Sequence, residues 1–199
     1  MNTEKIKTQE LILNTAYNLL VEKGYANVFT RDIAEGAGVA LSQLNYYYKT
    51  KEKLFVSIID IVIKKLVEEL KEVFSEGTSR RDCFIRMAEY FKRIIARQPG
   101  MMKLLIDFTT QSMWVKSLKV HIYGLFRELN IMIQKYIIKD NVGQTTFKNC
   151  PTEYVAEVVI FAVIGMTLHV ILGEKDVYHL KSDTLANMLF DDETPVNRV

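Results

Sequence analysis

Proline and glycine are scarce in this 199-residue chain, with three and nine residues respectively. Folds built on tight turns and short strands need more of both, so helices are expected and a turn-rich β architecture is not. Only two cysteines occur, Cys83 and Cys150, and no Cys-x-x-Cys. Neither a zinc site nor a thioredoxin-like motif is signalled, and two reduced thiols in a cytosolic protein are the plain reading. The three histidines, His121, His169 and His179, lack a second ligand at the i+3 or i+4 spacing of a helical metal site. No glycine-rich phosphate loop and no nucleophile elbow is present, so nothing marks an enzyme, and no cofactor is expected. An excess of charge is missing as well. The formal net charge is +2, and residues 1–53 carry seven Lys/Arg against six Asp/Glu, so bulk charge does not announce nucleic-acid binding. The start, MNTEKIKTQE, is polar and has no signal-peptide character. The most apolar run, Val158 to Leu172, is fifteen residues long, broken by Gly165, Thr167 and His169. A membrane span needs about twenty, so no membrane partner is expected and the location implied is cytoplasmic.

What is present is material for a helical core. Hydrophobic residues make up 49% of the chain, too many for disorder and enough, at this length, to bury a real core. Ile12, Leu13, Ala16, Leu19 and Leu20 recur at helical spacing and predict a helix over 5–23, closed by Gly24. Two short helices are expected between Thr30 and Tyr48. A long one runs from Lys51, capped by Thr50, to about Phe74. Helices follow over 79–97, 101–114, 115–139, 152–173 and 176–190, with Gln98-Pro99-Gly100 as a stop and 140–151 as the clearest loop. The fold class expected is all-α, with about nine helices and no strand.

The stretch Thr30 to Leu54, TRDIAEGAGVALSQLNYYYKTKEKL, organises the rest. Thr30 can serve as an N-cap, and Asp32 suits the positive helix end. Ile33, Ala34 and Ala37 form a small apolar face. Gly38 can take the positive φ of a sharp turn. A second helix begins at about Leu41. Its Leu44, Tyr47 and Tyr48 can pack inward, leaving Ser42, Gln43, Asn45 and Tyr46 outward. Two short helices about a glycine turn, the second with a polar outer face, form a helix-turn-helix whose second helix can enter the DNA major groove.

The string Thr30-x-x-Ile33-Ala34-x-x-Ala37-Gly38-Val39, with Leu44-x-x-Tyr47-Tyr48-x-x-Lys51-Glu52-x-Leu54 after it, resembles the TetR family of bacterial transcriptional regulators. Upstream, Ile12-Leu13-x-x-Ala16-x-x-Leu19-Leu20-x-x-x-Gly24-Tyr25 is similar to the family's first helix. The resemblance covers roughly the first third of the chain. It implies a DNA-binding domain over 5–65, with its motif at about 29–48, and a helical ligand-binding and dimerisation domain over 66–199. It implies DNA contact by Thr30, Arg31, Ser42, Gln43, Asn45, Tyr46, Tyr47 and Lys51, and phosphate contact by the N-terminal arm bearing Lys5 and Lys7. Two positions depart from the pattern. Ala40 stands where the family commonly has a capping Ser, and Asn45 where it commonly has Tyr. Asn can read adenine bidentately.

Met101 to Phe126 interleaves large apolar side chains with neutral polar ones, the composition of a small-molecule pocket. The resemblance places the family's ligand cavity among these middle helices, and Met101, Leu105, Phe108, Gln111, Trp114 and His121 are the residues it points to. Asp107, between Ile106 and Phe108, can orient a ligand or pair with a neighbouring lysine, and the second is the expectation. The last two helices carry more apolar surface than one copy would cover. The resemblance pairs them across a two-fold axis, with Val158, Ala162, Gly165 and His169 at the homodimer interface. The function implied is a transcriptional repressor, bound to double-stranded operator DNA and released by a small lipophilic effector. Two rivals remain: a thiol or redox sensor on the same scaffold using Cys83 and Cys150, and a helical enzyme or carrier.

Overall fold

The computed structural model describes residues 2–138, 150–173 and 182–190. Among these the chain forms nine α-helices and no strand. They are α1 (Asn2–Lys23), α2 (Thr30–Gly36), α3 (Leu41–Tyr47), α4 (Lys51–Ser75), α5 (Arg80–Arg97), α6 (Pro99–Gln111), α7 (Lys116–Ile133), α8 (Thr152–Ile171) and α9 (Ser182–Leu189). A short 3-10 turn, Tyr25–Asn27, joins α1 to α2, and one π turn, Gln134–Ile138, ends α7. The expected loop over 140–151 lies outside the described residues except for Cys150 and Pro151. The expected start of the last helix and its polar tail also lie outside them.

Local signals set most helix ends. Gly24 closes α1 with φ 76°. Thr50 caps α4 by accepting from the Lys53 amide at 3.2 Å, and Ser79 caps α5 by accepting from the Asp82 amide at 3.1 Å. The Gln98-Pro99-Gly100 stop behaves differently from the sequence expectation. It ends α5, but Pro99 is the first residue of α6, where the missing N–H costs nothing and the fixed φ suits the helix. The expected Thr30 cap is also corrected. Phe29 holds the N-cap position and Thr30 is already helical. Asp32 does the capping, accepting from the Phe29 amide at 3.2 Å, which is the return half of a capping box.

The helices fall into two compact units. The first comprises residues 1–65 and 100–125. Its buried side chains include Ile12, Ala16 and Leu20 of α1, Ile33 and Ala34 of α2, Leu44 of α3, Phe55 and Ile59 of α4, Leu104 and Phe108 of α6, and Leu118 of α7. The expected boundary at 65/66 divides the chain once. In the structure the N-terminal helices group with α6 and the first part of α7, because apolar burial joins residues far apart in sequence.

The second unit comprises residues 66–99 and 126–199. Within it α5 packs against α8, α9 and the π turn. Phe74 stacks on Tyr136 at 5.0 Å between ring centroids. Lys92 is buried, donating to Glu89 at 2.9 Å, and Ser182 at the start of α9 donates to the same carboxylate. At 20 residues, α8 ends two residues short of the expected 173, and is long and apolar enough by length and composition to cross a membrane. Its buried residues, Val155, Ala156, Val159, Ile160 and Thr167, lie in this unit.

Candidate nucleic-acid interface

The helix-turn-helix is built by backbone geometry that favours glycine. Ala37 ends α2, and Gly38 follows with φ 62°. The Gly38 amide donates to the Glu35 carbonyl and the Val39 amide to the Ala34 carbonyl, both at 3.0 Å. This pair of bonds is a Schellman closure, which satisfies the last carbonyls of α2 and reverses the chain sharply. Three residues later α3 starts. Ala40 is its N-cap and offers no side-chain acceptor; its carbonyl takes the Gln43 and Leu44 amides at 2.9 and 3.1 Å.

Leu44 anchors α3, fully buried. One anchor per turn leaves the other faces outward, and Ser42, Gln43, Asn45 and Tyr46 are all exposed. Tyr46 is 73% exposed, remarkably open for an aromatic side chain. Its ring meets Tyr47 edge-on at 5.4 Å and lies beneath Lys5 Nζ at 5.9 Å. Tyr47 is half-buried, and Tyr48, just past the helix, is buried; desolvation there raises the Tyr48 hydroxyl pKa above its ordinary value. Arg31 is exposed on α2 and Thr30 is half-buried at its start.

Lys51 departs from the sequence expectation. Rather than projecting as a free phosphate ligand, its ammonium donates to the Tyr25 carbonyl at 3.1 Å. It also sits over three rings, Phe55 at 5.1 Å, Tyr25 at 5.2 Å and Phe29 at 5.5 Å. Burial lowers its pKa, with Asp32 acting in the opposite sense. Asp107 departs further. Its Oδ2 accepts from the Tyr25 amide at 2.6 Å rather than pairing with a lysine neighbour.

The residues named for a ligand differ in burial and in partners. Met101, Leu105 and Phe108 are buried. Phe108 packs edge-on against Tyr25 at 5.7 Å and Phe55 at 6.3 Å. Gln111 turns its side-chain amide to Asp107 Oδ1 at 3.4 Å. Trp114 is 72% exposed on the turn after α6, so it faces water and not an apolar interior. His121 Nδ1 meets the Asp60 carboxylate on α4. Sequence reasoning names Tyr25 only as the end of the first motif and assigns neither it nor Phe55 a role. The only signal was an acidic residue, Asp107, embedded in the apolar part of α6.

The α8 residues present a continuous stripe. Tyr154, Val158, Phe161, Leu168 and Leu172 are exposed large apolar side chains, and Ala162 and His169 are exposed beside them. Gly165 lies on the same stripe, with open space where a Cβ would stand. The thiols are unlike one another. Cys150 is exposed, while Cys83 is buried with its Sγ 3.8 Å from the Phe74 carbonyl. Burial pushes the Cys83 pKa up, which disfavours the reactive thiolate.

The family model described as "Bacterial regulatory proteins, tetR family" matches residues 12–58, the span from the buried face of α1 to the first turns of α4. Over 54 residues the chain is 39% identical to the HTH-type transcriptional regulator EthR of Mycolicibacterium smegmatis; that stretch is 27% of this chain and 25% of the relative. The chain thus spans about a quarter of that curated relative's length in this match. Likeness of fold extends much further. A TetR transcription regulator from Haloarcula marismortui superposes with a TM-score of 0.76 at 19% identity, over 92% of this chain and 96% of that one. A TetR-family regulator from Agrobacterium tumefaciens gives 0.81 at 13% identity, over 94% and 99%. Residues 12–58 are thus similar in sequence to the helix-turn-helix segment of the TetR family of bacterial regulatory proteins, and the chain has the fold of TetR-type regulators along nearly its whole length.

Proposed function

We propose that this protein is a homodimeric transcriptional regulator of the cytoplasm, a repressor that binds double-stranded operator DNA and releases it when a small lipophilic effector binds. The observation that carries the DNA reading is the face of α3. Ser42, Gln43, Asn45 and Tyr46 all stand exposed on a helix anchored by the buried Leu44. Amide and hydroxyl side chains on such a face can hydrogen-bond base edges, and a good bidentate pair discriminates by about 1–3 kcal/mol. The exposed α8 stripe supports dimerisation, since an apolar face of this length is costly in water. Two copies joined there would present two α3 helices, whose operator half-sites must lie about one helical turn, roughly 34–36 Å, or a multiple apart.

The effector is assigned to the apolar side of α6, with Met101 and Leu105 leading. Their large, uncharged side chains suit a lipophilic molecule over a sugar or polyanion, and methionine adapts its shape. To act as a switch, the effector must bind the operator-competent and released forms unequally. The raised Cys83 pKa weighs against the thiol-sensing alternative.

A gel-shift titration with the DNA upstream of the protein's own coding sequence tests this reading. The wild-type chain should bind that fragment more tightly than unrelated DNA. Gln43→Ala should lose about 1–3 kcal/mol of operator affinity and relax preference at one base pair. Unchanged affinity and selectivity for Ser42→Ala, Gln43→Ala and Asn45→Ala together would sink it.

A further inference from the structure

The turn between α1 and α2 is gripped on both sides of one residue by side chains from distant helices. The Tyr25 amide donates to Asp107 Oδ2 of α6 at 2.6 Å, across 82 residues of sequence. The Tyr25 carbonyl accepts from Lys51 Nζ of α4 at 3.1 Å. Both bonds involve an ionised partner, the stronger and more directional class. Gly24 lets the chain turn here. Its φ of 76° is one that other side chains avoid, and a Cβ there would already stand 3.4 Å from Asp107 Oδ2. Gln111, one turn along α6, holds the other carboxylate oxygen at 3.4 Å.

A second contact fixes the same helix against the same place. Gly100 of α6 lies so close to α1 that an added Cβ would fall 2.5 Å from Val21 Cγ1. Residues 100 and 107 are seven apart and share a helix face. So α6 meets the end of α1 at Val21 and the turn that follows it at Tyr25. The rings of Tyr25, Phe55 and Phe108 close around the turn, with centroids 5.1 Å, 5.7 Å and 6.3 Å apart. The α2–α3 head departs from this turn, so the attitude of the exposed α3 face depends on how firmly Tyr25 is held.

We propose that Asp107 is a positioning residue for operator recognition, acting through the Tyr25 amide to set the orientation of the helix-turn-helix. This rests on the DNA-binding reading above. Without the carboxylate, the amide loses its charged acceptor and the turn is free to pivot. Recognition that needs two α3 helices in register suffers most from a pivoting head. Binding to unrelated DNA, which rests on phosphate contacts and needs no register with bases, suffers least.

The test uses the full chain with Asp107→Leu, which removes the acceptor, and Asp107→Asn, which keeps a neutral one. Three quantities are read: affinity for the upstream fragment at fixed salt, affinity for unrelated DNA, and hydrogen exchange of the Tyr25 amide by NMR. For Asp107→Leu, Tyr25 exchange should quicken at least tenfold and operator affinity fall at least tenfold, with unrelated-DNA affinity within twofold of wild type. Asp107→Asn should fall between, and it carries the test if the leucine variant does not fold. Faster Tyr25 exchange with undiminished operator affinity overturns the proposal. So does an equal loss on both DNAs that follows a lowered melting temperature, the signature of a merely structural role. A wild-type chain that binds no upstream DNA overturns the regulator reading itself, and the proposal with it. Wild-type binding matched by both variants overturns the proposal alone.

Discussion

Truncating Phe108 to alanine separates a core side chain from a ligand-lining one. Phe108 is fully buried, and it touches Tyr25 and Phe55 edge-on. A buried Phe→Ala change costs about 3–5 kcal/mol, the transfer of the ring plus the cavity left behind. Two edge-to-face contacts, each contributing about 0.5–1.5 kcal/mol, place this site toward the upper end of that range. Against a total stability of about 5–15 kcal/mol, the loss is large but need not unfold the chain. Urea unfolding followed by circular dichroism, at one fixed protomer concentration because the proposed dimer would unfold by mass action, measures it. With a slope of about 2–3 kcal/mol per molar, the midpoint should fall by roughly 1–2.5 M. Operator affinity should fall too, because the ring supports Tyr25. By sequence alone Phe108 looks remote from the reading head, and a selective loss of effector response would be expected instead. A stability loss below about 1 kcal/mol with unchanged DNA binding would refute the packing argument and return Phe108 to an open effector cavity.

Lys51→Met should lower operator affinity while leaving the slope of affinity against salt unchanged, because the ammonium is engaged with the Tyr25 carbonyl; a slope reduced by about one unit would make it a phosphate contact after all. Ala162→Glu would set an unpaired carboxylate into the apolar α8 stripe if that stripe is covered by a second copy. Sedimentation should then show a monomer that retains helix content and loses operator binding, and a variant that stays dimeric would place the interface elsewhere. Glu89 has its pKa held down by hydrogen bonds from Lys92 and Ser182. A depressed carboxylate pKa stabilises the fold above the ordinary Glu range, and that contribution is lost as pH falls through the lowered value. Protection of the α9 amides, corrected for the intrinsic pH dependence of exchange, should therefore fall on acidification below the ordinary Glu range in wild type. Glu89→Gln should show weaker pH dependence there, and equal dependence in both proteins would rule the link out.

Much of the reading head was legible because its causes are local. A glycine able to take φ 62° ends α2, and 3.6-residue periodicity alone puts Leu44 inward and Ser42, Gln43, Asn45 and Tyr46 outward. The apolar stripe of α8 was legible for the same reason, with Val158, Ala162 and Gly165 recurring on one face. Even locally, near-equivalent choices escaped the sequence. Thr30 and Asp32 can both cap α2, and geometry chose Asp32, whose carboxylate reaches back to the Phe29 amide. What tertiary structure decided are the destinations of side chains whose partners lie far along the chain. Periodicity places Asp107 and Phe108 on α6, but it cannot say that one takes the Tyr25 amide while the other takes the Tyr25 ring. It places Lys51 at the start of α4, where a free ammonium could meet phosphate, but not over three rings and a carbonyl. Trp114 is apolar enough to line a pocket, yet it lies on the turn beyond α6 in water. The physical reason is one of range: turn chemistry and helix period act within a few residues, whereas burial and charge pairing are settled only when separate helices meet.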